Sequence, residues 1–300
     1  MAADAGENRS LRQAKYAPYV MSLPGLLWLF IFFIVPLVTL LKVALSTKPN
    51  PFLPKYDLTW AWGNFSTAFT DFGGQLVRSF LYAGIATVLC VLISYPIAYF
   101  IAFRSGAWKN LLLGLVMVPF FTSFLLRTIA WQTLLADQGI VMDFLRGISV
   151  DGVLDKLGIL DNGRMLNTST AVVGGLTYNF LPFALMPIYV SLEKIDLRLM
   201  DAAADLYSPF GRSFRKVILP LSLPGVFAGT LLTFIPATGD FINAKLLGNP
   251  QTKVIGDVVQ NQFLGRNDYP TAAAISFVLM AIITAAVLVY AKFLGTDDLV

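Results

Sequence analysis

Charged residues are distributed so that six long stretches of the chain are nearly free of them. These run from Tyr16 to Leu41, Ser79 to Phe103, Asn110 to Ala136, Met165 to Leu192, Val217 to Gly239 and Tyr269 to Ala291, with Arg127 the one charge inside any of them. A helix rises about 1.5 Å per residue and needs about 20 mostly apolar residues to cross a bilayer, so each stretch is long enough. None shows the two-residue alternation of a barrel strand, and only helices or closed barrels satisfy every backbone group inside lipid. The pattern predicts an all-α integral membrane protein: six transmembrane helices in one domain over 19–294, with tails at 1–18 and 295–300. Proline and glycine interrupt nearly every span, at Pro24-Gly25, Pro36, Pro96, Pro119, Pro182, Pro187, Pro220, Pro224-Gly225 and Pro236. Together they predict spans that bend around a path.

Composition agrees and removes whole classes of chemistry. The 300 residues are 56% hydrophobic and only 13% charged, where a soluble domain carries about a quarter charged residues. Histidine is absent, which excludes histidine triads and the commonest metal ligand, and the single cysteine, Cys90, can form neither an internal disulfide nor a thiolate cluster. No catalytic residue and no metal site are expected. The net charge of +4 is spread along the chain, so the basic balance points to a membrane and not to nucleic acid.

Arg9, Arg12 and Lys15 precede the first span like the start of a signal peptide, but the apolar run is too long for one and reads as a retained anchor. With the N-terminus inside, the inner segments 1–18, 104–110, 193–217 and 292–300 hold 11 Lys and Arg in 59 residues, against 10 in the 100 residues of the outer segments. That density predicts both termini in the cytoplasm.

The inner segment 193–217 is patterned. Leu192, Ile195, Leu199, Ala202 and Leu206 recur at three and four, predicting an amphipathic helix. Ser208 can cap a second helix that has Pro209 at its first position, with Phe210 and Phe214 on one face and Arg212, Arg215 and Lys216 elsewhere. Two short helices at a sharp corner, offering exposed aromatics, are what docking into a partner's groove requires.

Asp201-Ala202-Ala203, Phe214, Leu219-Pro220 and Pro224-Gly225 resemble the EAA loop of permease subunits of bacterial ABC importers, with Asp201 where glutamate is usual and Tyr207 at the position of the motif's glycine. The segments 118–131, 234–241, 246–249 and 255–263 resemble the spermidine/putrescine permeases, in their first permease subunit. The resemblance covers roughly Met21 to Phe293. It implies the type I, MetI-like permease fold in a bacterial inner membrane and transport of polyamines delivered by an external polyamine-binding protein. It also implies a heterodimer with a second homologous permease and two cytoplasmic ATPase subunits. Those subunits bind ATP and Mg2+, so this chain needs no cofactor. Asp201, Ala202, Ala203, Ser208, Pro209, Phe210, Arg212 and Phe214 are then expected to couple the chain to the ATPase.

Arg127 and Asp240 are costly near a membrane and should face protein or water. They are expected either to pair with each other or to let Asp240 serve a cation path, with Trp131, Tyr178, Asn179, Tyr95 and Tyr99 as aromatic or polar lining. Two other classes fit less. An intramembrane aspartyl protease would need a second intramembrane aspartate, and position 237 is alanine. An ion-gradient carrier leaves the 191–225 loop unexplained. Related permeases serve iron, sulfate, molybdate or phosphate, and an anionic substrate would favour Arg127 as the ligand.

Overall fold

The computed structural model describes residues 21–48, 56–196, 198–205 and 207–294. The tails 1–18 and 295–300, Leu206, and the side chains of Asp201 and Ala202 lie outside what is described. The first crossing, α1 (Met21–Ala44), lies mostly outside the bundle and packs through Val43 and Ala44 on Ala273 and Ala274 near the start of the last helix. A two-residue strand β1 (Ser46–Thr47) pairs antiparallel with β2 (Asp57–Leu58), Ser46 opposite Leu58. The short α2 (Gly63–Thr70) is fastened to this turn by Asn64, whose Nδ2 donates to the carbonyls of Ala44 and Ser46 at 2.8 and 2.9 Å.

Two long helices then cross, α3 (Gly73–Phe103) and, after a broken segment, α8 (Ser169–Glu193). Between them run α4 (Lys109–Met117), α5 (Phe124–Leu134), α6 (Ile140–Gly147) and α7 (Asp151–Lys156). After α8 come the short α9 (Arg198–Asp205), the crossing α10 (Phe210–Gly239), the short α11 (Ile242–Leu247) and α12 (Ile255–Gln260), and the final crossing α13 (Tyr269–Leu294).

The centre is the mutual packing of α3, α8 and α10. Lipid removes the hydrophobic drive between helices, so close van der Waals approach has to hold them, and small residues permit it. Ala83, Ala86, Cys90, Ser94 and Ala98 line the buried side of α3. Cys90 Sγ donates to the Thr177 carbonyl at 3.2 Å and Ser94 Oγ to that of Leu181 at 3.3 Å. On α10, a Cβ added to Gly225 would stand 2.5 Å from the Pro187 carbonyl oxygen, and one on Gly229 2.9 Å from that of Ala184. Glycine is therefore required at both crossings.

Five helices among the described residues are long and apolar enough to span, and the third expected span is different: 106–121 and 124–134 meet at 94°. The expected single helix over 110–136 is thus an elbow. Thr122 and Ser123 are both extended, with ψ of 154° and 133°. Pro119 supplies no N–H, and its carbonyl is taken by the Thr122 hydroxyl at 2.6 Å, so the turn closes on itself instead of propagating. The other prolines do not break the chain in this way: Pro96, Pro182, Pro187, Pro224 and Pro236 sit inside helices that continue. Ahead of Pro36 and Pro220, π-helical turns over Phe30–Ile34 and Phe214–Ile218 widen the helix and absorb the missing donor.

Candidate functional site

At one end of the bundle the chain leaves α8 and turns back into α10. Lys109 pairs with Glu193 at 2.5 Å and stands 5.5 Å over the Tyr189 ring, tying the start of α4 to the end of α8. The amphipathic helix expected over Leu192–Leu206 is not continuous. Leu192 is buried at the end of α8, and Asp196 Oδ1 accepts from the backbone N–H of Arg198 at 2.9 Å, starting α9 afresh.

The corner itself falls on Tyr207, with φ of +54° and a side chain 95% exposed. That left-handed conformation is the one a glycine adopts without cost, which accounts for the glycine of the resembling motif and means Tyr207 carries backbone strain. Ser208 does not cap α10 as expected. The buried Ser213 hydroxyl needs a partner and donates to Ser208 Oγ at 3.0 Å, while Pro209 takes the cap position one residue later.

The two aromatics expected to face a partner are not equivalent. Phe210 is exposed and stacks on Phe214 at 6.3 Å. Phe214, four residues before the buried Ile218, turns inward and meets the edges of Tyr95 and Tyr99 at 5.9 and 6.0 Å. Tyr95 also bonds Ser222 through its hydroxyl at 2.8 Å. Tyr95 therefore sits, with Tyr99, under the corner, where it anchors α10 to α3. Arg212 is exposed beside them.

The second group of residues lies where α5, α8 and the end of α10 converge. Asp240 follows the last residue of α10 and caps α11: Oδ1 accepts the backbone N–H of Asn243 and Oδ2 its side-chain amide, both at 2.9 Å. The fully buried Asn243 in turn accepts from Asn179 of α8 at 3.0 Å, and Asn179 donates to Thr128 of α5 at 3.1 Å. A chain of four polar side chains thus links the elbow of the third crossing to the loop after the fifth. Reading the sequence alone misses Asn243 and Thr128. The one signal for Asn243 is its place three residues after Asp240, the spacing at which a capping side chain meets a helix N–H.

Arg127 and Asp240 form no ion pair, which corrects one of the two sequence expectations. Arg127 is 9% exposed, has no carboxylate within 4 Å among the described residues and leaves Nε without a hydrogen bond. Its guanidinium lies instead over the rings of Phe120 and Phe124, at 5.9 and 5.7 Å. Trp131 and Tyr178 meet edge to face at 5.3 Å on the same two helices, α5 and α8. Asp240, Asn179 and Thr128 are therefore joined, Arg127, Trp131 and Tyr178 flank them on α5 and α8, and Tyr95 stands apart. Among the described residues no group of acidic or thiol side chains could hold a metal ion.

Residues 94–294 match the family of binding-protein-dependent transport system inner membrane components. The chain belongs to this family. The inner membrane component is 35% identical over 265 residues to the spermidine/putrescine transport system permease protein PotB of Haemophilus influenzae, covering 88% of this chain and 89% of that one. It is 34% identical to PotB of Escherichia coli, at 88% and 92% coverage, and 30% identical to the inner membrane ABC transporter permease protein YdcU of the same organism over 287 residues, at 93% and 90%. In fold it superposes on a chain of a bacterial ABC transporter involved in alginate import, with a TM-score of 0.67, 16% identity and 97% and 99% coverage. A methionine ABC transporter in an inward-facing form gives 0.54 at 13% identity, covering 73% and 93%. The type I importer permease fold is thereby shown for this inner membrane component, with five helices able to span among the described residues, or six where the elbow makes one crossing.

Proposed function

We propose that this permease forms half of the path by which an ATP-driven importer takes up polyamines, with spermidine and putrescine as substrates. What carries the reading is the 35% identity, spread over 88% of the chain, to a permease named for those two compounds. A second, homologous permease completes the path, an external binding protein delivers the substrate, and two cytoplasmic ATPase subunits hold ATP and Mg2+. Both termini and the 193–217 segment face the cytoplasm, in keeping with the higher density of lysine and arginine there.

The chain does no chemistry, so its work is to convert a push on the corner into a change of access. Ala203, Ser208, Pro209, Phe210 and Arg212 form the surface presented to the ATPase, and the motif that Asp201 and Ala202 resemble assigns them to the same coupling role. Phe214 passes the push inward, because its contacts with Tyr95 and Tyr99 fasten the corner to α3. The Lys109–Glu193 pair carries it to the segment that ends in the elbow. From the elbow, Thr128, Asn179, Asn243 and Asp240 reach the opposite loop. Asp240 serves this path by holding α11 in place, while Trp131 and Tyr178 offer ring faces to a methylene chain and its ammonium groups.

The test is uptake of labelled spermidine and putrescine by cells lacking this chain, with and without the native chain restored. Restoration of uptake is the expected result. Uptake that never depended on the chain would overturn the substrate while leaving the family and fold intact.

A further inference from the structure

The guanidinium of Arg127 is a buried cation that no described residue of its own chain neutralises. Among those residues no carboxylate lies within 4 Å, Nε has no acceptor, and the side chain is 9% exposed. Its surroundings are aromatic. Phe120 precedes the elbow at 122–123 and Phe124 follows it, so one guanidinium over both rings clamps the two halves of the broken crossing. Those rings continue into α8: Phe120 meets Phe183 at 5.1 Å, Phe124 meets Phe180 at 5.9 Å, and Phe180 meets Phe183 at 6.0 Å. A cluster of phenyl faces around one positive charge is the recognition chemistry of an organic cation, supplied here by a side chain.

We propose that Arg127 is a resident stand-in for the substrate's ammonium group, filling an aromatic cation subsite at the elbow that an incoming polyamine takes over. The inference rests on the polyamine reading above. Guanidinium and ammonium groups bind the same electron-rich ring faces, so the two occupants exclude each other. Arginine suits the resting role because its guanidinium is weakly hydrated and always charged, so it enters a dry ring cluster and cannot escape by losing a proton. While it sits there its charge repels small cations and guards the path against leak. Displacing it frees Phe120 from Phe124 and unlocks the elbow.

The experiment measures equilibrium binding of labelled spermidine to the assembled transporter, purified without nucleotide, carrying native Arg127 or Arg127→Met. The variant keeps an unbranched apolar stem, removes the competing charge, and is expected to bind spermidine at least about tenfold more tightly. Adding Phe124→Leu to it is expected to abolish that gain. No gain in Arg127→Met, or a gain that survives loss of the Phe124 ring, overturns the proposal. So does binding of labelled sulfate that Arg127→Met eliminates, since Arg127 would then be an anion ligand. A second measurement needs no variant: modification of Arg127 by phenylglyoxal, read by mass spectrometry of its peptide, is expected to rise several-fold in saturating spermidine, and an unchanged yield refutes displacement. If cells carrying the native chain take up no spermidine, the polyamine reading itself has failed; normal uptake with unaltered binding in Arg127→Met fails only the role of Arg127.

Discussion

Replacing Asn243 by alanine should cut the polar link between the elbow and the α11 loop, and the structure allows the cost to be worked out. The fully buried side chain makes two hydrogen bonds: it donates to the Asp240 carboxylate at 2.9 Å and accepts from Asn179 at 3.0 Å. A bond to a charged acceptor is worth about 1.5–3 kcal/mol, and buried interhelical bonds in membrane proteins average about 0.6 kcal/mol. The backbone N–H of residue 243 still reaches Asp240 Oδ1, so the carboxylate keeps one donor. Asn179 also keeps Thr128 as an acceptor. Asn243→Ala is therefore expected to destabilise by about 2–3 kcal/mol, measured by equilibrium unfolding in mixed micelles. A double-mutant cycle with Asn179→Ala should return a coupling of about 0.6 kcal/mol, at most about 1.7. A total loss below about 1 kcal/mol, or no coupling, would show that the link does not hold the two elements together.

The corner offers a contrast between its two aromatics. Phe214→Ala should cost about 2 kcal/mol, a discounted core value for a half-buried ring, whereas the exposed Phe210→Ala should stay within about 0.5 kcal/mol yet weaken association with the ATPase subunits; equal destabilisation by the two would contradict the inward placement of Phe214. Tyr207→Gly should relieve the strain at φ +54° at little cost in packing, because the ring is 95% exposed, and slow amide exchange across the corner about fivefold, corresponding to about 1 kcal/mol; faster exchange would mean the ring is holding the corner. Burial raises the Asp257 carboxyl above its ordinary range, partly offset by Lys253 and Lys245. Its ionised form is thus disfavoured in the folded chain, and stability falls as pH rises through the ordinary carboxylate range near about 4 towards the raised value. Asp257→Asn should accordingly raise the thermal midpoint at about pH 7 and lose that advantage below about pH 4; a gain undiminished in acid would point to another cause.

How far the site can be read from residues differs between its parts. The corner is legible because its devices are local: a change of pattern at 206–209, a proline at the next helix start, and a motif whose spacing survives without tertiary information. Its interior is not. Phe210 and Phe214 fall on one face of one helix by spacing, and only the position of α3 sends one ring to Tyr95 and leaves the other in the open. The contacts of Tyr95 with Phe214 and Ser222 are hidden for the same reason, since a tyrosine inside an apolar run carries no mark of the end of the bundle it serves. Arg127 and Asp240 invite pairing because each is an isolated charge at similar depth, but Asp240 is satisfied locally by Asn243, and the elbow turns Arg127 onto aromatic faces.

The number of crossings follows from hydropathy alone, because lipid penalises every unpaired backbone group and leaves helices of a set length as the solution for long apolar runs. The same argument cannot see a bend. Pro119 looks no different from Pro96 or Pro187, yet the chain breaks at 122–123 and continues through the others, because whether freed backbone groups find partners depends on the neighbouring helix and its side chains. The buried link from Thr128 to Asp240 is of the same kind: its members come from three separate stretches of chain, each ordinary by itself. They become one device only when the small residues of α3, α8 and α10 let the backbones close to the distance at which those amides meet.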